Sequence, residues 1–508
     1  MKEKSVRKIL TKCSYVLFAI AFGYISLNIM FADKIHSYKI TKLLPGMMVG
    51  GVVVAIGMFI LSKIAQEKID RHFKKVLIVF SIVYYIVLIR MGFLLRFEPS
   101  FDMGAIYNGA IQWTNEGNFS NFYEYFGYYP NNLGSLGFLH IVFKIASLVG
   151  IKDFFAVGII VNSAFITGTA VFVSLICKKI AGSKTALMSL ILVLLCFPFY
   201  FMGAVFYTDS LSLMFPVLFY YLYLCLKGEK DRKKQIIYLA AMGLSLTIGM
   251  MIKFTVVIVL IAVVIDAFLY IPWKKALLIL VVSLAFYGVI KSIYNHNIYK
   301  NYISDEQYQN LKTPYWHWIM MGLQNDGRYN PGDYEYTRSF DVNERSAACR
   351  KKAMERVKEL GVSGLFKLWT NKAVICFGDG TYELSDFLDD TPANETNIHD
   401  YILSAGKNYS KYKLFSTGLL IVLYLLASVG AIRDIIGKVK YRESILPTAP
   451  RLAMIGILCF LLLWETTGRY FTNYIPLLLV CASFTLYWKK EKVRDGSVAA
   501  ETVSTTTR

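Results

Sequence analysis

Long apolar stretches separated by short polar ones dominate this chain. A helix of about 20 apolar residues is long enough to cross the hydrocarbon core of a bilayer. The pattern therefore predicts an all-α polytopic membrane protein with about 12 transmembrane helices. The predicted spans are 11–31, 46–64, 77–95, 153–177, 186–205, 208–226, 235–252, 254–271, 276–293, 413–432, 451–466 and 470–488.

The stretch 131–150 is also long enough to cross, but the charges that follow it argue against a span. A crossing there would move Lys178, Lys179 and Lys184 to the outer side and would invert every later basic loop. Basic residues concentrate on the cytoplasmic side of membrane proteins. Its apolar residues recur at helical spacing, so we expect an extracytoplasmic juxtamembrane helix on the membrane surface.

The stretch 235–271 has the opposite problem, because it is too long for a single span. One helix of that length would extend about 55 Å, whereas the hydrocarbon core is about 30 Å thick. Lys253 is the one charge near its middle, and an ammonium at bilayer depth is costly. The sequence therefore predicts a break at Lys253, at the outer surface.

Composition supports a membrane protein, because 56% of the 508 residues are hydrophobic and only 18% are charged. The net charge of +20 lies entirely in the predicted cytoplasmic pieces, which hold 30 of the 55 basic residues and 10 of the 35 acidic ones. This is a topology signal and not a nucleic-acid surface, so both termini are expected inside. The pieces are 1–12, 63–75, 178–184, 227–234, 274–275, 433–451 and 489–508.

The spans divide the chain into five regions. They are two N-terminal helices (1–73), a core (74–293) with a first outer loop (96–152), a large outer segment (294–412), C-terminal helices (413–488) and a cytoplasmic polar tail (489–508). Within the large segment, residues 343–360 and 362–374 have helical patterns. Gly361 between them is a candidate helix stop.

The eight cysteines indicate no zinc site, because they form neither a CxxC motif nor a Cys/His cluster. Cys349 and Cys376 both fall in the large outer segment. Spacing alone leaves open whether they pair there.

The polar clusters that could take part in binding or catalysis all lie on the predicted outer side. Asp102 follows the third span, where it is either a solvated loop residue or a general base for an acceptor hydroxyl. Tyr107, Tyr128 and Tyr129 belong to an aromatic loop that suits either a membrane interface or contact with a substrate.

Two further clusters follow. Asp209 opens the sixth span, where it or Ser210 could cap the helix or contact a ligand. Lys253 is either a snorkelling lysine or a phosphate contact. Glu465 and Arg469, at the last turn, could pair with each other, or Arg469 could hold a phosphate.

The order of these features resembles the type-C glycosyltransferase (GT-C) superfamily. Within it, the chain is similar to the branch of dolichyl-phosphate-mannose protein mannosyltransferases and aminoarabinose transferases. The resemblance covers about 74–290 and 451–480, through Asp102, Arg469-Tyr470 and Pro476. The chain departs from that branch at Met103, where a second acid is usual, and at Tyr129-Pro130-Asn131-Asn132-Leu133, where Tyr-Pro-Pro-Leu is usual. The two spans before residue 74 are also extra relative to that branch, which usually has a single span before the acidic loop.

The resemblance implies a GT-C-like fold and transfer of a sugar from a polyprenyl-phosphate donor, with inversion, to an extracytoplasmic acceptor hydroxyl. Asp102 is then the catalytic base, and Lys253 and Arg469 bind the donor phosphate. Tyr107, Tyr128, Tyr129, Asp209 and Glu465 are candidate substrate contacts. No cofactor or metal is expected beyond the lipid-linked sugar, and the sequence shows no acidic metal cage.

The expected partners are membrane lipid, the donor, and a cell-envelope glycan, polymer or protein acceptor. The expected location is the plasma membrane of a bacterial cell, with an extracytoplasmic site. Two other classes remain open. Twelve spans also suit a major-facilitator transporter, although the only long loop lies after the ninth span and intramembrane charge such as Asp266 is scarce. A non-catalytic partner in envelope assembly is the third class.

Overall fold

The computed structural model describes residues 2–31, 38–436 and 447–486. Within these ranges the chain is helical, and the one extended pairing is an isolated bridge between Phe97 and Pro392. The all-α prediction is therefore confirmed. The polar tail 489–508, the end of the last predicted span and much of the basic loop 433–451 lie outside the described residues.

Eight helices in the described part of the chain are long and apolar enough to cross a membrane. Each coincides with a predicted span. They are Arg7–Phe31, Leu44–Lys63, Gln66–Leu94, Phe154–Ala181, Thr208–Gly228, Arg232–Ile252, Trp273–Asn301 and Tyr409–Ile436.

The other four predicted spans correspond to shorter or bent helices. Ser183–Leu194 and Pro198–Ala204 form one pair bent by 63°, at a proline that cannot donate to the preceding turn. Phe254–Tyr270 and Thr448–Leu463 are short apolar helices, and Ile475–Thr485 is shorter still. The fold is that of a polytopic membrane protein with eight or more candidate spans.

The first long helix has one buried face and one exposed face. In the first helix Phe18, Phe22 and Ile29 are buried, whereas Leu17 and Ile20 are exposed. The buried face packs on Tyr409–Ile436, where the Phe22 and Tyr424 rings stack 5.7 Å apart. Apolar side chains at helical spacing on both faces are typical of a membrane-embedded bundle.

The helix breaks predicted at Lys253 and Gly361 are both confirmed. Lys253 has extended backbone between Arg232–Ile252 and the short helix that begins at Phe254. The helix Val342–Gly378 is interrupted at Gly361, whose φ of 58° lies in the left-handed region that glycine adopts without a steric penalty.

The first outer loop contains two helices that pack on each other, Phe101–Glu116 and Leu133–Leu148. The second is the helix predicted for the membrane surface. Leu136, Leu139 and Phe143 are buried, whereas Ile141 and Ile145 are exposed on its other face. At its start, Ser135 donates a 3.1 Å hydrogen bond to the carbonyl of Ile252, which ties this helix to the Lys253 break.

The large outer segment is made of short helices around the interrupted one. Their bounds are Asp305–Leu311, Tyr315–Met321, Pro331–Arg338, Ser385–Leu388 and His399–Ile402. Part of it forms a small separate core that includes Met320, Cys349 and Leu368. Cys349 and Cys376 are free and lie near opposite ends of Val342–Gly378, so they do not pair.

Candidate functional site

A cavity of about 370 Å³ opens at one end of the bundle, and three distant parts of the chain line it. The first outer loop contributes Ser100, Phe101 and Asp102. The large outer segment contributes Arg328, Tyr329, Asp386, Phe387 and Asp390, and the last turn contributes Glu465, Thr466, Thr467 and Arg469. The volume falls in the range of small-molecule sites, about 300–1,000 Å³.

Asp102 lies in the first turn of Phe101–Glu116, with 38% of its side chain exposed. The Tyr125 hydroxyl donates to its Oδ1 at 2.7 Å, and the Tyr207 hydroxyl donates to its Oδ2 at 3.2 Å. Tyr125 in turn accepts from the Asn132 amide at 2.6 Å. The carboxylate is therefore oriented, and its remaining lone pairs can still accept a proton from a hydroxyl in the cavity.

Nothing in the sequence indicates that Tyr125 and Tyr207 hold this carboxylate. Burial, followed by the nearby Asp102, raises the pKa of both phenols well above their ordinary value. Both hydroxyls therefore remain protonated donors at neutral pH. Tyr125 lies in the aromatic run of the first loop and Tyr207 directly precedes the sixth span. Only the direction of their hydroxyls distinguishes them from the other tyrosines nearby.

Arg469 lies across the cavity from Asp102, with its Nη2 3.9 Å from Asp102 Oδ2. Its guanidinium packs against the rings of Tyr207, Phe387 and Tyr470, at 5.3–5.5 Å from their centroids. Aromatic faces favour a cation at such distances. Its N–H donors are directed at no hydrogen-bond acceptor among the described residues, so they are available to an anionic ligand.

Lys253 and Asp209 form an ion pair beside this arginine, and both side chains are almost fully buried. Asp209 does not cap the helix, because its carboxylate pairs with Lys253. The N-cap residue is Tyr207, and Ser210 takes part in the capping, because its hydroxyl accepts a 3.2 Å hydrogen bond from the Tyr207 amide. Lys253 Nζ also lies 5.0 Å from the centroid of the Tyr470 ring, against which Arg469 packs. The ion pair is therefore next to the residues that surround the Arg469 guanidinium.

Glu465 and Arg469 do not form the ion pair that the sequence allowed. Glu465 instead accepts a 3.0 Å hydrogen bond from Tyr470, and its burial raises the pKa of the carboxyl. Glu465 lines the cavity nonetheless.

The last turn is held in place by the large outer segment. Lys372 Nζ donates to the carbonyls of Gly322 and Trp464, at 2.8 and 2.6 Å. The Thr466 amide donates to the Gly327 carbonyl at 2.7 Å. These contacts fix the backbone on either side of Glu465.

Glu383 completes this support from the other side. Its Oε2 accepts from the Thr467 hydroxyl and the Gly468 amide, both at 2.6 Å, and its Oε1 accepts from Arg328 at 2.8 Å. One buried carboxylate thus holds both cavity arginines, Arg328 directly and Arg469 through the turn before it.

Four of the five predicted substrate contacts are not among the lining residues, namely Asp209, which pairs with Lys253, and the three tyrosines. The Tyr107 ring packs edge-on against Phe143, Phe155 and Phe206. The other two aromatics lie near the cavity but not on its wall. The ring of Tyr128 lies under the Arg338 guanidinium, and Tyr129 packs 5.2 Å from Tyr125.

Arg328, Asp386 and Asp390 line the cavity but were not predicted as site residues. Burial, together with Glu383, raises the pKa of Asp386 to about 6, although Arg469 and Arg328 oppose the shift. Asp390 accepts from the amide and the hydroxyl of Ser100, at 3.1 and 2.6 Å. Arg328 and the two aspartates lie in loops and short helices, where periodicity gives no signal.

A family model described as "Conserved hypothetical integral membrane protein" matches residues 3–490. No curated protein matches the chain.

Two solved structures are similar to it at low identity. The archaeal oligosaccharyltransferase AglB from Archaeoglobus fulgidus, in complex with an inhibitory peptide and a dolichol-phosphate, is 11% identical with a TM-score of 0.40. That match covers 80% of this chain and 50% of AglB, so the chain spans about half of its length. ArnT from Cupriavidus metallidurans bound to undecaprenyl phosphate is 10% identical with a TM-score of 0.34, over 80% of this chain and 77% of ArnT.

Proposed function

From the premise that this chain belongs to the family of conserved hypothetical integral membrane proteins, we propose that it is a membrane glycosyltransferase. It moves a sugar from a polyprenyl-phosphate donor to an extracytoplasmic acceptor hydroxyl. The acceptor belongs to a cell-envelope glycan, polymer or protein. Asp102 is the general base, and no cofactor is needed beyond the lipid-linked sugar.

One observation carries this proposal, namely the geometry around Asp102. A half-exposed carboxylate, oriented by two phenols, faces an arginine at 3.9 Å across a cavity at the end of a membrane bundle. The transfer needs a proton acceptor beside a cation that can stabilise a phosphate leaving group. The resemblance of the sequence to the GT-C superfamily, through Asp102 and Arg469-Tyr470, supports the same reaction.

The proposed step is a single displacement. The acceptor oxygen forms a bond to the anomeric carbon as its proton moves to Asp102. The bond from that carbon to the phosphate oxygen breaks, and its electron pair stays with the polyprenyl phosphate. Attack from the face opposite the leaving group inverts the anomeric centre. Positioning of the two reactants contributes much of the rate.

Arg469 is the first contact for the phosphate in this proposal, because its planar guanidinium can donate two parallel hydrogen bonds. Lys253 contributes through its pair with Asp209, which lies behind Arg469. The lipid tail stays between the helices, so the donor approaches from the bilayer and the acceptor from the outer solution.

The test is transfer of label from a radiolabelled polyprenyl-phosphate sugar by purified protein, beside the variant Asp102→Asn. Loss of the base is expected to lower turnover about 10²- to 10⁴-fold, because the amide cannot take the proton. Asp341→Asn is the matched control, since this exposed aspartate caps a helix of the outer segment without a side-chain hydrogen bond. Its turnover should equal that of the wild type.

Full turnover by Asp102→Asn contradicts the role of Asp102. Absence of transfer and hydrolysis in the wild type, with several sugar donors, contradicts the glycosyltransferase itself and favours a transporter or an assembly partner.

A further inference from the structure

Phe101, next to the proposed base, has a conformation that folding alone does not explain. Its φ of 45° lies in the left-handed region, which a bulky side chain rarely adopts. Its side chain is also 88% exposed, although it lines the cavity. The backbone at Phe101 is therefore strained, and burial of the ring does not offset the cost of that strain.

The backbone on both sides of Phe101 is held firmly. The amide and hydroxyl of Ser100 bond to Asp390, and the Glu98 amide donates to the Thr391 carbonyl at 3.1 Å. On the other side, Asp102 is held by its two phenols. These contacts hold the backbone on both sides of Phe101, which lines the cavity.

Tyr329 presents a second exposed ring from a different part of the chain. It is 54% exposed, lines the same cavity and follows Arg328, which Glu383 holds at 2.8 Å. Two aromatic rings, 228 positions apart in the sequence, thus share one cavity with carboxylates and guanidinium groups. Phe101 and Tyr329 together are called the aromatic pair below.

We propose that the aromatic pair forms a binding site for a pyranose ring. The C–H groups on one face of a pyranose are polarised and pack on the negative face of an aromatic ring. Its hydroxyls need acceptors and donors, which Asp386 and Arg328 supply on the cavity wall. A lipid tail would cover the exposed parts of Asp386 and Arg328 and offer neither a hydrogen-bond partner, so the cavity favours a sugar over an acyl chain.

This inference rests on the proposed function, in which two sugars can meet at Asp102. The ring bound by the aromatic pair belongs either to the donor sugar or to a saccharide acceptor. The chemistry of recognition is the same in both cases, and the experiment separates them.

The experiment is saturation-transfer NMR on the full chain in detergent micelles. The probes are the methyl pyranosides of mannose, glucose, galactose and N-acetylglucosamine. At least one is expected to receive saturation on its C–H face from the wild type. The signal should fall at least about fivefold in Phe101→Ala and in Tyr329→Ala, because each variant removes one stacking face.

Phe101→Tyr keeps a flat ring and should retain the signal. Phe366→Ala is the matched control, because Phe366 is also an exposed phenylalanine but does not line the cavity. A signal that an added polyprenyl-phosphate sugar displaces assigns the pair to the donor sugar. A signal that persists assigns it to the acceptor and makes the acceptor a glycan.

Three results would overturn the inference. These are no saturation of any pyranoside, an unchanged signal in both alanine variants, and quenching of a Phe101→Trp variant by brominated lipid beyond that of the wild type. The last would place the ring in the bilayer. Asp102→Asn should keep the pyranoside signal while it loses transfer, so either proposal can fail without the other.

Discussion

At the scale of single residues, the cavity holds two aspartates in different surroundings. Asp102 accepts hydrogen bonds from two phenols, whereas partial desolvation, together with Glu383, raises the pKa of Asp386 to about 6. We assign base chemistry to Asp102 because its geometry is fixed, and we expect Asp386 to respond to pH.

The pKa of Asp386 predicts a pH-dependent stability. Because its pKa is higher in the folded protein than in the unfolded chain, ionisation destabilises the fold as pH rises from about 4 to about 6. Asp386→Asn cannot ionise. Its thermal midpoint in detergent should therefore be close to that of the wild type at pH 4 and higher by a few degrees at pH 7.5.

Asp341→Asn serves as the control for that measurement, because it makes the same exchange at an exposed aspartate that does not line the cavity. An equal difference between Asp386→Asn and the wild type at both pH values would mean that ionisation of Asp386 is not the cause.

At the scale of elements, the last turn depends on the large outer segment. Lys372 is buried, and burial lowers its pKa to about 8. It bonds both to Gly322 of the outer segment and to Trp464 of the turn. Since the turn carries Glu465 and Arg469, we expect Lys372 to position the proposed phosphate contact.

We expect Lys372→Met to weaken donor use strongly. A shift of about 1 Å in a positioned group can cost about 10²-fold in rate. The effect should appear as a higher KM for the polyprenyl-phosphate sugar, with a smaller change in kcat. The measurement is steady-state kinetics, with Lys367→Met as the control, because Lys367 is exposed on the same helix.

Lys372→Arg keeps the charge and the donors, so it should recover part of the affinity. A loss of folded protein without a change in KM among the remaining molecules would reduce Lys372 to a structural role.

At the scale of the whole molecule, the predicted outer residues meet at one end of the bundle. Asp102, Asp209, Lys253 and Arg469 come from four separate parts of the chain and lie within one connected cluster. This convergence agrees with the side assignment made from the basic loops. The orientation in the membrane itself stays a prediction.

Cysteine labelling of intact cells tests that orientation. Glu395→Cys should react with a membrane-impermeant maleimide from outside, whereas Lys230→Cys should react only after permeabilisation, because basic loops stay in the cytoplasm. The unsubstituted chain provides the background of its own cysteines. The reverse pattern would move the cavity to the cytoplasmic side.

The sequence by itself determined the helices and their breaks. The breaks follow from local properties, namely span length, the lone charge at Lys253 and the conformational freedom of Gly361. Each of these properties affects only the residues in which it occurs, so the sequence is enough to predict its effect. The sequence also singled out Asp102 and Arg469, but only through an order of features that resembles the GT-C superfamily, and their roles stay predictions.

Only the tertiary structure decided how those residues are used. Tyr125 and Tyr207 are two of 35 tyrosines, and nothing local directs their hydroxyls to Asp102. Arg328 and Asp386 reach the cavity because the outer segment folds back over the bundle. A hydrogen bond depends on the final distance and direction between atoms that can be more than a hundred positions apart. For that reason the pattern of the chain predicted the bundle, and the folded molecule defined the site.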